Sequence, residues 1–151
     1  MPRETLKVLT AAAGHGRYML DEQVGFLLRV AMQRHTAIFM SRMIEGLTQT
    51  QFSALAKLHE AGPCSQTQLG RLICLDAATI KGVVDRLGAH GLVTALNDPP
   101  DRRRRAVTLT DRDRQVTESA MLIAAEITAT TLAAFSKDEQ RQVTRLLKKL
   151  G

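Results

Sequence analysis

A chain of 151 residues with 44% hydrophobic and 24% charged side chains has the composition of a globular protein and room for one ordinary domain with its own core. Its net charge of +6 and pI near 9.9 favour an anionic partner, and without a long lipid-spanning apolar run the expected partner is nucleic acid and not a membrane. With 3% aromatic residues and no Trp there is no row of stacking platforms for single strands, so duplex is the expected form.

The first apolar run, Val8 to Ala13, is broken by Thr10 and too short for a secretion signal, which predicts a cytoplasmic location. From Leu20 to Met43 the residues Val24, Leu28, Ala31, His35, Ile38 and Arg42 recur at alternating spacings of four and three, with Leu27 and Phe39 beside them. That pattern predicts one long amphipathic helix, ended by Gly46. Thr48-Gln-Thr-Gln51 has the form of a capping box and opens a helix through Phe52, Leu55 and Leu58 that Gly62-Pro63 stops. A second box, Ser65-Gln-Thr-Gln68, starts a short helix with Leu69, Leu72 and Ile73 inward. After a break at Cys74-Leu75, Asp76 caps a helix that runs to His90 and stops at Gly91.

Leu92 to Leu96 and Ala106 to Leu109 read as the strands of a hairpin turned by Asp98-Pro-Pro-Asp101, with Arg102, Arg103, Arg104 and Arg105 at its tip. Four guanidinium groups held together must sit in solvent facing an anion, and a phosphate backbone or a narrow minor groove is the natural one. Thr110 then caps a long helix through Val116, Ala120, Ile123, Ala124, Ile127 and Leu132, and Ser136-Lys-Asp-Glu139 starts the last helix, with Val143, Leu146, Leu147 and Leu150 on its apolar side.

Two short helices, a turn, a capped second helix and a hairpin make a winged helix-turn-helix over residues 48–110. The fold class expected is therefore mainly α with a small β wing, residues 1–151 forming a single domain. Helices within 20–46 and 111–151, from the two ends of the chain, are more apolar than one winged unit could cover, which predicts a homodimer.

In the order of six helices and a wing, in Leu75-Asp-Ala-Ala-Thr-Ile-Lys-Gly-Val-Val-Asp-Arg-Leu87 followed by Gly91-Leu-Val93, and above all in Asp98-Pro-x-Asp-Arg-Arg103 leading into Leu109-Thr110, the chain resembles the MarR-type transcriptional regulators. The resemblance covers most of the chain. It implies a two-fold dimer with interlocked termini, a recognition helix from each subunit in successive major grooves, and each wing reaching a minor groove. The operator would be an imperfect palindrome with half-sites roughly 34 Å apart.

With Ile80, Val83, Val84 and Leu87 inward, the helix after Asp76 turns Ala77, Ala78, Thr79, Lys81 and Gly82 to the bases. Lys81 can donate to guanine, the methyls of Ala78 and Thr79 can touch thymine, and Gly82 lets the backbone approach. Many family members carry arginine where Gly82 stands, so more of the reading falls here to Lys81, Thr79 and the wing. Arg86 is either a phosphate contact or an ion pair with Asp85, and Gln66 and Thr67 can hold phosphate. The resemblance implies that Asp101 pairs with Arg103 and fixes it for the minor groove, leaving Arg102, Arg104 and Arg105 to the backbone.

Regulators of this family often bind small aromatic carboxylates between the dimer-forming helices and the reading head. His35 and Arg42 on the first helix, with Phe39 and Met43 beside Arg42, are the candidates there. A buried Arg42 needs an anion, either a ligand carboxylate or an internal acid such as Glu45 or Asp21. His15, Arg17 and Tyr18 could close the pocket in an interlocked dimer or form a solvated tail. The Ala77 to Leu87 stretch is similar to the branch that represses nicotinic acid degradation, whose inducer is 6-hydroxynicotinic acid, with hydroxycinnamates and hydroxybenzoates as alternatives.

Neither Cys64 nor Cys74 has a neighbouring base to activate it, and no two of His15, His35, His59 and His90 have the spacing of a zinc site, so redox and metal sensing are lesser alternatives. No nucleophile elbow, metalloprotease helix, Walker loop or dinucleotide fingerprint occurs, and neither an enzyme nor a cofactor is expected. The stronger rival is a sequence-independent duplex binder, which would ignore small molecules.

Overall fold

The structure, a computed structural model, describes residues 16–97 and 105–151. Among the described residues it contains six α-helices: α1 (Val24–Arg42), α2 (Gln49–Ala61), α3 (Gln66–Leu72), α4 (Ala77–Ala89), α5 (Asp111–Thr131) and α6 (Lys137–Leu150). Three short strands, β1 (Cys64–Ser65), β2 (Val93–Asn97) and β3 (Arg105–Leu109), form one antiparallel sheet with β3 in the middle. The chain divides into two compact units, one ending at Arg34 and the other running from His35 to Gly151.

In the first unit a 3-10 turn, Leu20–Glu22, precedes α1, so the expected helix from Leu20 begins as a separate turn and restarts at Val24. Gln23 Nε2 donates to the Met19 carbonyl across this entry, and the Arg29 guanidinium lies 5.4 Å from the Phe26 ring centre. The stripe assigned to the inside of this helix is not covered by its own unit: Val24 is 66% and Leu28 43% exposed.

The second unit holds the winged helix-turn-helix. Thr48 and Gln51 close a reciprocal capping box at α2, and Ser136 and Glu139 do the same at α6, each satisfying backbone donors that a helix start leaves open. At α3 only half of the expected box forms: Ser65 Oγ accepts from the Gln68 N–H. Gly62 (φ 79°) and Gly91 (φ 72°) take the left-handed backbone that ends α2 and turns α4 into β2. Leu55, Leu69, Ile80 and Leu87 are buried together, with Leu58, Val83 and Leu92 around them. Leu72, expected inward, is exposed: the side of α3 that meets the core carries Leu69 and Gly70, with Ile73 partly buried one turn on, and Leu72 falls at its edge.

The sheet extends the expected hairpin. Val93 pairs with Leu109 and Asn97 with Arg105, so each strand reaches one residue further toward the tip than expected, and β1 adds Cys64 opposite Val107. Val107 and Leu109 are buried while Ala106 and Thr108 are half-buried, the period of two that a one-sided sheet requires. Thr110 links wing to scaffold: its hydroxyl donates to the Gly91 carbonyl and accepts from the Asp113 N–H at the start of α5.

α3 and α4 meet at Gly70. A Cβ there would lie 3.1 Å from both Ile80 Cγ2 and the Leu75 carbonyl oxygen, and the latter is backbone held by the Leu75 N–H to Gly70 carbonyl bond of 2.8 Å. Gly70→Ala is expected to destabilise the fold by about 1–3 kcal/mol, read as an earlier urea midpoint with unchanged slope.

Candidate nucleic-acid interface and effector cleft

The position of α4 is fixed from below by apolar burial and at its start by a charge. Asp76 accepts from the Thr79 N–H at 2.7 Å, and that bond holds the Asp76 carboxyl below its usual pKa. With Ile80, Val83 and Leu87 buried, Ala77, Ala78, Thr79 and Lys81 are exposed together and Gly82 is half-covered. The expected reading face is thus presented as one surface. Lys81 is not free on it: its ammonium lies 2.8 Å from Asp85 Oδ2. Among the described residues it is Lys81, and not Arg86, that pairs with Asp85, and Arg86 is exposed.

Gln66 and Thr67, expected to hold phosphate, line a groove of about 190 Å³ between α3 and α4 together with Arg71 and Ala77. Arg71 was not among the expected contacts. Its signal was weak, since a lone arginine on a short helix reads as a solvated charge until the groove beside Ala77 is seen. In the wing, Arg105 opens β3 opposite Asn97. Asp101, Arg102, Arg103 and Arg104 lie outside the described residues, between these two strands.

Above the reading head, α1, α2 and α5 bound two adjoining hollows. One of about 300 Å³ is lined by Thr36, Phe39, Met40, Met43 and Gln49, and another of about 190 Å³ by His35, Phe39, Gln49, Phe52, Ser53 and Thr128. Phe39 and Gln49 belong to both. Phe39 packs tilted against Phe52 with ring centres 6.1 Å apart and against His35 at 6.4 Å. His35 Nδ1 lies 2.8 Å from Thr131 Oγ1, and Gln49 Nε2 donates to Thr36 Oγ1 at 2.9 Å. The cleft is therefore apolar and aromatic with a few polar groups on its walls, the make-up of a site for a small planar molecule.

Of the residues named for an effector, His35, Phe39 and Met43 line these hollows. Arg42 does not fit the premise of burial: it is exposed, and among the described residues of its own unit its guanidinium donates to Thr130 Oγ1 at 2.8 Å and pairs with no acid, Glu45 included. Arg17 and Tyr18 are exposed residues of the first unit, and His15 lies outside the described residues. Gln49, Phe52, Ser53 and Thr128 were missed, because a helix reads alike in sequence whether or not another helix crosses it.

Other chemistry has less support in the geometry. Cys64 is buried, which pushes its thiol pKa up and away from reactivity, and Cys74 is exposed in a left-handed turn (φ 59°). Among the described residues no three His, Cys, Asp or Glu side chains gather as metal ligands. No described helix is long and apolar enough to cross a membrane.

Comparison with known proteins agrees with this architecture. The model of the MarR family matches residues 47–104. The HTH-type transcriptional repressor NicR of Pseudomonas putida is 39% identical over 134 residues, 88% of this chain and 85% of that protein. The crystal structure of a probable transcriptional regulator from Pseudomonas aeruginosa superposes with a TM-score of 0.85 at 47% identity, covering 88% of this chain and all (100%) of that one. BpsR of Bordetella bronchiseptica, whose DNA binding is regulated by 6-hydroxynicotinic acid, superposes with a TM-score of 0.83 at 39% identity over 89% of this chain and 97% of its own.

Proposed function

This chain belongs to the MarR family of transcriptional regulators, and from that premise we propose that it is a cytoplasmic, homodimeric repressor that leaves a palindromic operator when a small aromatic acid binds. The observation that carries the DNA half is the exposed row Ala77, Ala78, Thr79 and Lys81 on an Asp76-capped helix buried along its other side. Lys81 and Thr79 read base edges with Ala78 and Gly82 in apolar contact, Gln66, Thr67 and Arg86 hold phosphate, and Arg103, fixed by Asp101, enters the minor groove while Arg102, Arg104 and Arg105 contact the backbone.

The effector half rests on the cleft around Phe39 and on likeness to a regulator controlled by 6-hydroxynicotinic acid. In this reading Phe39 and Phe52 hold the ring, while His35 and Gln49 supply hydrogen bonds. A ligand that fits the cleft only when the helices splay would favour a spacing of the two reading heads unlike one turn of DNA, and would weaken binding by the ratio of its affinities for the two states.

Selection from a random duplex library at near-physiological salt tests the DNA half. An imperfect palindrome bound about a thousandfold more tightly than a shuffled duplex is expected. A library returned without enrichment would mark a sequence-independent duplex binder and overturn the reading. For the effector, 6-hydroxynicotinic acid is expected to release the selected duplex from wild type, and Phe39→Ala to bind that duplex but resist release. Release of the variant at the wild-type concentration would place the ligand elsewhere.

A further inference from the structure

Base reading by Lys81 does not account for the carboxylate beside it. Lys81 Nζ and Asp85 Oδ2 are 2.8 Å apart, one turn apart on α4, and both side chains are more than half exposed. As a source of stability such a pair counts for little, since an exposed i,i+4 pair is weakened by water and screened by salt. Its effect falls on where the ammonium is. A lysine is a compact charge on a flexible four-carbon stem, and any phosphate within reach attracts it. Among Ala77, Ala78, Thr79, Lys81 and Gly82, Lys81 is the one residue with an ionised side chain, so where it points decides how much sequence information the helix reads.

We propose that Asp85 is a specificity-determining positioning residue, which holds the Lys81 ammonium over the base-reading face of α4 and keeps it from the phosphates. The inference rests on the DNA-reading role of α4 proposed above. Asp85 lies toward the C-terminal end of the helix from Lys81, and it draws the lysine along the exposed face, against the usual lean of helical side chains toward the N-terminus. Held there, the ammonium reaches a guanine acceptor without first leaving a phosphate. Without Asp85 it would bind the backbone of any duplex, and affinity for wrong sequences would rise as discrimination fell.

The test compares wild type, Asp85→Ala, Asp85→Asn, Lys81→Met and the double variant Lys81→Met with Asp85→Ala, on the duplex selected by wild type and on its shuffled form. Asp85→Ala is expected to lower the preference for the selected duplex about tenfold, chiefly by tighter binding of the shuffled one. Asp85→Asn, which keeps shape and an acceptor, should lose less in the same direction, and it carries the test if thermal melting shows that Asp85→Ala does not fold. In the Lys81→Met background the alanine change should leave the preference where Lys81→Met alone puts it. A carboxylate that merely repelled DNA would, on removal, tighten both duplexes alike and leave the preference intact, and that result would overturn the proposal. So would an equal loss of preference with and without Lys81. If wild type itself enriches no sequence, the DNA-reading role of α4 falls and this inference with it. If wild type discriminates and Asp85→Ala discriminates equally, only the inference falls.

Discussion

Asp113→Asn is expected to raise the melting temperature by about 3–8 °C near neutral pH and to leave it nearly unchanged near pH 4. Asp113 is 0% exposed, its Oδ1 meets the Thr117 hydroxyl at a long 3.4 Å, and its Oδ2 has no hydrogen-bond partner among the described residues. Burial pushes its pKa up to about 6 from 3.8, against the smaller opposite pull of Thr117. Its place in the first turn of α5 favours the anion by about 0.3–1 kcal/mol, less than the cost of leaving a carboxylate oxygen dry and unpaired. Because the folded chain binds this proton more tightly than the unfolded chain, stability falls as pH rises from about 4 through about 6, and the deficit is complete above that window. Relieving it in the asparagine variant is worth about 1–3 kcal/mol. Melting both proteins across that range decides the matter: a constant difference between them at every pH would mean that the Asp113 carboxylate is not strained by burial.

Asp113 also shows where the sequence stops being informative. Three residues after a threonine cap, an aspartate reads as a favourable first-turn acid, and nothing local says that the packing of other elements against α5 leaves it buried. The capping residues Thr48, Asp76, Thr110 and Ser136 were legible because a cap acts within three residues of itself. The buried row Ile80, Val83 and Leu87 was legible because its period of three and four is that of the helix. Leu72 and Arg42 were misplaced for the opposite reason: periodicity gives the face of a helix but not whether another element reaches it. Gln49 and Thr128 line one hollow only because α5 packs on α2, a tertiary fact that neither helix announces.

A single charge on the leucine face of the last helix is expected to cost the proposed dimer and, with it, operator binding. On α6 the leucines at 146, 147 and 150 are 50%, 48% and 68% exposed, while Lys137, Arg141 and Arg145 line a groove with Thr128 of α5 and Leu132 just beyond its end. Basic and apolar sides of the helix are both open to solvent, and the three leucines are apolar surface that a solitary chain in water would not favour leaving bare. Covering what each leucine still exposes would gain about 1–2 kcal/mol, and a two-fold axis applies every such gain twice. Leu147→Glu places an unpaired carboxylate in that contact, at a penalty of several kcal/mol per chain. Sedimentation should show the variant as a monomer at about 10 µM, with the Ser136–Glu139 capping box keeping α6 helical by circular dichroism. Its affinity for the selected palindrome should fall at least about a hundredfold, because two half-sites bound by separate chains lose the high effective concentration that linkage provides. A variant that stays dimeric and keeps its operator affinity would show that this leucine face is not where the two copies meet.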